Sequence, residues 1–178
     1  MSVQRTLSLI ALATCVALPV AAGADPAATP TKALFQKLYD KADAAADKKD
    51  ADGVVAIYSV NVVAQEKDGT SKTYSDLLQG AQQLFTLAQS VSSRTTVTSC
   101  KVDGNTALIL QTDVTKLSVA NPTGGPGYVL VDTSVTRDGW RKTDEGWKIV
   151  KENAISDDMT EDGKPVSSLL GGQMPSGE

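Results

Sequence analysis

The sequence predicts an α+β fold in which a curved antiparallel sheet wraps a long N-terminal helix. Two observations predict it. Helical apolar spacing is confined to the first half of the chain, and from Ser92 onward threonine and valine dominate in long runs that read as a β-meander. Both tryptophans of an aromatic-poor chain also lie on the two arms of one charged turn, Thr136–Glu152, where a final hairpin covers a core or a cavity.

The opening residues read as a targeting segment. Met1–Arg5 is a short basic start, Thr6–Val20 a mostly apolar run, and Ala22-Gly23-Ala24 an A-x-A cleavage site. The run is too short to span a membrane, and no later stretch is apolar enough to do so. The sequence therefore predicts a periplasmic or secreted protein cleaved after Ala24. The alternative is lipidation at Cys15, for which the preceding Thr14 is a poor residue. The organisation expected is a signal peptide at 1–24, a leader at 25–30, one domain at 31–157 and an acidic, then Ser/Gly-rich tail at 158–178.

Removing residues 1–24 of 178 leaves 154, enough for one self-sufficient core. Cys100 is then the only thiol, so no internal disulfide forms and Cys100 reads as a half-buried strand residue. With 17 basic and 21 acidic residues and no basic cluster, nucleic-acid binding has no electrostatic support. The chain contains no histidine. That excludes Ser-His-Asp and Cys-His catalysis and histidine-ligated zinc, and leaves acid–base work to Asp, Glu, Lys or Tyr.

The elements follow in order. Thr29 and Pro30 start a helix whose apolar positions are Leu34, Phe35, Leu38, Ala42, Ala45 and Ala46, with Asp43 and Asp47 off that face. It ends near Lys49, and a single turn at Val54–Tyr58 follows. Val60–Glu66 is a short strand closed by the Asp68-Gly69 turn. Thr73 caps a second helix with Leu77, Ala81, Leu84, Phe85 and Ala88 inward. Strands are then expected at Arg94–Val102, Thr106–Val119, Tyr128–Lys142 and Trp147–Ser156. The Gly/Pro-rich loop Asn121–Gly127 lacks the ending of a phosphate loop, and Asp158–Leu169 lacks the glutamate that closes a calcium loop.

The register of the last hairpin has two solutions. A two-residue loop at Glu145-Gly146 puts Trp140, Trp147 and Ile149 on one sheet face, whereas a three-residue loop parts the two rings.

This order, with Ala51–Tyr58, Arg137-Asp138-Gly139-Trp140 and Asp144–Val150, resembles the NTF2-like superfamily, and within it the small SnoaL-like and DUF4440-type domains. The resemblance covers Thr31–Ser156 and implies an NTF2-like, cystatin-like cone with a cavity at one end. It also implies two classes of role. One is binding of a small apolar or amphipathic ligand, or service as a homodimer paired through the outer sheet face. The other is isomerase or cyclase chemistry, with proton abstraction next to a carbonyl. Many relatives carry an acidic pair where this chain has Tyr58-Ser59-Val60-Asn61-Val62. That absence, with the missing histidine, favours non-catalytic binding.

The candidate residues follow from that cone. Tyr39, Tyr58, Tyr128 and Trp140 are expected as ligand-binding walls. Asp132 and Asp113 are the candidate bases, with a tyrosine as electrophilic partner. Asp132 shares the even row of its strand with Trp140, which aims it at the cavity. The opposite row, Val129, Val131, Thr133 and Val135, looks drier, which would leave Asp132 outside. No cofactor, metal or nucleic-acid partner is expected. A homodimer is expected in solution, and a light-scattering mass equal to one chain at high concentration refutes it.

Overall fold

The computed structural model describes residues 30–121 and 126–165. The expected signal peptide, Cys15, the Thr29 cap and the Ser/Gly-rich tail lie outside them. Among the described residues no helix is long and apolar enough to cross a membrane.

Helix α1 spans Lys32–Ala46, with Thr31 in the N-cap position and Pro30 just before it. It buries Phe35, Tyr39, Ala42, Ala45 and Ala46, and with them Asp43, which the sequence places off this face. Helix α2, Ala51–Val55, comes earlier than expected because Asp50 caps it, accepting from Gly53 N at 3.0 Å. The helix passes through Gly53 because α1 is too close for a side chain. A Cβ there would lie 2.7 Å from that of Ala45. Strand β1, Tyr58–Gln65, turns at Gly69 (φ 88°) into β2, Ser71–Lys72. Helix α3, Tyr74–Leu87, starts at a full capping box between Thr73 and Asp76. It buries Phe85, while Leu77 and Ala81 are half-buried and Leu84 is 37% exposed.

Four long strands complete the chain: β3 Ala88–Asp103, β4 Thr106–Val119, β5 Tyr128–Thr143 and β6 Gly146–Glu161, with the short β7 at Lys164–Pro165. Strand β6 runs five residues past the expected end at Ser156, because its acidic stretch pairs with β5 as far as Leu130↔Glu161. The sheet order is β2-β1-β6-β5-β4-β3, with β7 on β6. All pairings are antiparallel except β1 with β6, the one departure from the expected all-antiparallel sheet.

The final hairpin settles the tryptophan question. Its loop is Asp144-Glu145, with Thr143 opposite Gly146, two residues in register from the expected pairing. A shift of two keeps every side chain on its face. Trp140 therefore faces in opposite Ile149, and Trp147 shares that face. Phe35 of α1 meets both indoles edge-on, at 5.4 Å and 5.2 Å, and Tyr39 meets Trp140 at 5.4 Å. Such pairs add roughly 0.5–1.5 kcal/mol each beyond buried area. One turn of α1 thus holds the hairpin down.

Strand β3 is the sheet edge, and α1 covers it with side chains. The amides of Ser93, Thr95 and Val97 donate to Asp47, Asp43 and Gln36 at 3.0, 2.7 and 2.9 Å. Positions 36, 43 and 47 form one helical stripe, so the edge is closed without another strand. Phe35→Ala should lower stability by about 3–5 kcal/mol, and Thr73→Ala by about 1 kcal/mol, both read from urea unfolding.

Candidate active site

The concave face of the sheet is banded. On β4 the inward row is Ala107, Ile109, Gln111, Asp113, Thr115 and Leu117, and on β5 it is Trp140, Asp138, Thr136, Ser134, Asp132 and Leu130. Apolar residues stand at both ends and polar ones in the middle. Strand β3 continues the belt with Ser93 and Thr95, between Val91 and Val97. Two apolar clusters therefore form, one around Trp140, Phe35 and Ile109, the other around Phe85, Val91 and Leu117. Between them lies a cavity of about 230 Å³, walled by α1, α3 and the polar belt.

A β-bulge decides which residues of β6 reach it. Trp140 pairs with Ile149 but Gly139 pairs with Lys151, so Val150 is the extra residue. Beyond it the facing of β6 reverses, and Glu152 lies inward opposite Asp138. Straight alternation from Trp147 and Ile149 would have put Glu152 outside.

Two tyrosine–carboxylate pairs result. Asp138 has no exposed surface. Its Oδ2 accepts a very short hydrogen bond from Tyr39 OH, and its Oδ1 accepts from Thr136 Oγ1 at 2.8 Å. Gln111 Nε2 donates to Thr136 Oγ1 at 2.7 Å, and Trp140 Nε1 donates to Tyr39 OH at 3.2 Å. Glu152, which lines the cavity, accepts from Tyr58 OH at 2.6 Å. Burial pushes Asp138 up to about 6, against the pull of donors from Tyr39, Thr136 and Gln111. Burial and then the charge of Asp138 push Glu152 up to about 7. Burial and the adjacent carboxylates hold both phenols protonated, far above their ordinary value.

A third group sits on the β3 side. Asp43 accepts from Thr95 Oγ1 at 2.8 Å and from Ser93 Oγ at 3.3 Å. Asp113 accepts from Thr115 Oγ1 at 2.8 Å and also meets Ser93 and Thr95. Burial raises Asp113 as well.

Of the residues singled out from sequence, Tyr39, Tyr58 and Asp113 line the cavity. Trp140 is a buried core residue that backs the cavity by orienting Tyr39. Tyr128 lies half-buried at the far end of β5, outside the lining. Asp132 faces inward with the even row, and the valine row lies outside. It stops short of the cavity, however, beside Asp157, with burial and that neighbour raising it to about 7. Neither tyrosine bonds to it, since their hydroxyls go to Asp138 and Glu152. Asp43, Asp138 and Glu152 were not singled out. Asp138 shares the row of Trp140 and was legible from that spacing; the other two were not. Cys100 is half-buried against the tryptophan cluster, as expected.

Residues 32–152 match the family model of the SnoaL-like domain. No curated protein matches. Among solved structures, the chain is similar to an NTF-2 like protein of unknown function from Shewanella oneidensis MR-1, with TM-score 0.53, 13% identity, and coverage of 67% of this chain and 94% of that one. It is similar to a hexachlorocyclohexane dehydrochlorinase, LinA type 2, with TM-score 0.58, 14% identity, and coverage of 73% and 87%. It is also similar to a cystatin-like domain of unknown function from Nostoc punctiforme PCC 73102, with TM-score 0.52, 18% identity, and coverage of 69% and 75%. At these identities the likeness is one of fold.

The raised carboxylates make stability depend on pH. Glu152 holds its proton up to about 7 in the folded state but only to its ordinary 4.5 when unfolded. The folded protein then binds more protons across that window, so stability falls as pH rises through it. Asp132 and Asp138 act with the same sign. The melting temperature should drop between pH 4.5 and about 7, and Glu152→Gln should reduce that slope without abolishing it.

Proposed function

The chain belongs to the SnoaL-like family of NTF2-like domains, and from that premise we propose that it binds one small amphipathic molecule in the cavity. The observation that carries this reading is the banded wall. Apolar residues of α1 and α3 face a belt of hydroxyls, an amide and carboxylates across about 230 Å³. An apolar body and a polar head then each find a matching surface. The size suits a ligand on the order of ten non-hydrogen atoms, scaled from benzene filling a cavity of about 150 Å³.

A second reading, proton transfer, is supported by Glu152. It is a carboxylate at the cavity wall that holds its proton near neutrality and receives a phenol hydrogen bond. It replaces Asp132 as the base in that reading, because both tyrosine hydroxyls are committed elsewhere. Pairing of two copies through the outer sheet face belongs to the same proposal. Its support is an outer sheet face on which Leu108 of β4 and Val129 of β5 are exposed at 48% and 41%. Export with cleavage after Ala24 rests on the N-terminal sequence.

Native mass spectrometry of the chain recovered from its own host tests the binding reading. The expected species lacks residues 1–24 and carries a small molecule that is lost on denaturation. Ala81→Trp fills the cavity and should abolish carriage while keeping the native circular dichroism. A wild-type chain recovered empty, or a tryptophan variant that carries the same load, would falsify it.

A further inference from the structure

The cavity wall is one-sided in charge and in hydrogen-bonding character. Three carboxylates line it, from Asp43, Asp113 and Glu152, and Asp138 lies directly behind Tyr39. No lysine or arginine is among the lining residues. The basic groups nearby are engaged elsewhere. Lys72 pairs with Glu66 at 2.5 Å, Arg94 pairs with Asp47 at 3.0 Å, and Lys49 donates to Ala88 O at 3.0 Å.

Most donors of the wall are already committed inward, Ser134 being the lining hydroxyl that stands outside that network. Tyr39 and Thr136 donate to Asp138, Tyr58 to Glu152, and Thr115 to Asp113. Ser93 and Thr95 are engaged by the Asp43–Asp113 group. What this leaves toward an occupant is mainly acceptor capacity. One such acceptor is specific. Gln111 lines the cavity and is only 6% exposed, and its Oε1 has no hydrogen-bond partner. Its orientation is imposed, because Nε2 must donate to Thr136 in the chain leading to Asp138. A buried amide oxygen without a donor is costly unless something fills the role.

We infer that the occupant is a small organic cation, a protonated amine with an apolar body. This rests on the binding reading above and names the ligand class. An ammonium group carries three donors and no acceptor, which matches a wall of carboxylates and an unpartnered carbonyl. Its charge also favours the ionised form of Asp113 and Glu152, which burial alone disfavours and a neutral ligand does not restore. The apolar body meets Ala46, Val54, Ala81 and Phe85 on the helix side. A carboxylate ligand meets no lysine or arginine at this wall, and every ionised carboxylate there repels it.

Isothermal titration calorimetry on the purified full chain at neutral pH tests this with three probes of one shape: 2-phenylethylammonium, 2-phenylethanol and phenylacetate. The ammonium should bind at least about tenfold more tightly than the alcohol, with no binding of the carboxylate. Asp113→Asn and Glu152→Gln should each lower the ammonium-to-alcohol ratio about tenfold. If either variant fails to fold, the comparison of probes on the wild-type chain still decides. An alcohol that binds as tightly as the ammonium, or a carboxylate that binds at all, overturns the cation assignment and leaves the cavity reading standing. Failure of all three to bind overturns both.

Discussion

Asp138 is a carboxylate with no exposed surface, and the packing of the molecule is organised around satisfying it. Its donors come from different elements: Tyr39 from α1, Thr136 from its own strand, and Gln111 of β4 through Thr136. Trp140, two residues on, donates to the same tyrosine and packs edge-on to Phe35. Removing any one of these would leave a buried polar group short of a partner. The polar knot and the aromatic clamp therefore share residues, and together they fix where α1 lies across the sheet.

The same carboxylate sets the electrostatics beside it. Its charge is the second cause, after burial, of the raised value at Glu152, and it contributes to the high values of both tyrosines. Glu152 reaches that neighbourhood only because Val150 is an extra residue in β6. A further extra residue, Ile155, falls between Ala154 and Ser156, and another, Thr98, between Val97 and Ser99 on β3. Each bends its strand and reverses the facing beyond it. Curvature and site composition thus have one physical origin.

The polar belt also shows how a cavity persists beside a filled core. Ile109 and Trp140 close one end of the concave face and Phe85, Val91 and Leu117 the other. Between them stand short hydroxyl side chains and carboxylates that bond to one another along the wall, as Thr115 does to both Asp113 and Ser93. Such groups hold their place on the sheet without reaching across to α3. A solid apolar core would need larger side chains in those rows.

Much of the architecture was local and therefore legible. Thr73 followed by Asp76 caps α3, Asp68-Gly69 turns β1 into β2, and β4 runs over the residues that its composition marks. The tryptophan face survived a one-residue error in loop placement, because that error moves the register by two and strand facing repeats every two residues. The even row of β5 held Asp138 in plain sight beside Trp140. Its valine-rich odd row misdirected, because β-branched side chains suit an exposed strand face as well as a buried one. Asp43 was hidden for a different reason. Helical periodicity marks apolar faces, and nothing in it announces that a neighbouring strand will need an acceptor for its edge amides. Glu152 could not be found by alternation at all, since one inserted residue inverts the count. The chain alone thus determined its elements, its fold and the chemistries closed to it for want of histidine, because these follow from spacing and composition within short windows. Which carboxylates meet which tyrosines waited on tertiary structure, because bulges and a covered sheet edge are decided by partners far away along the chain.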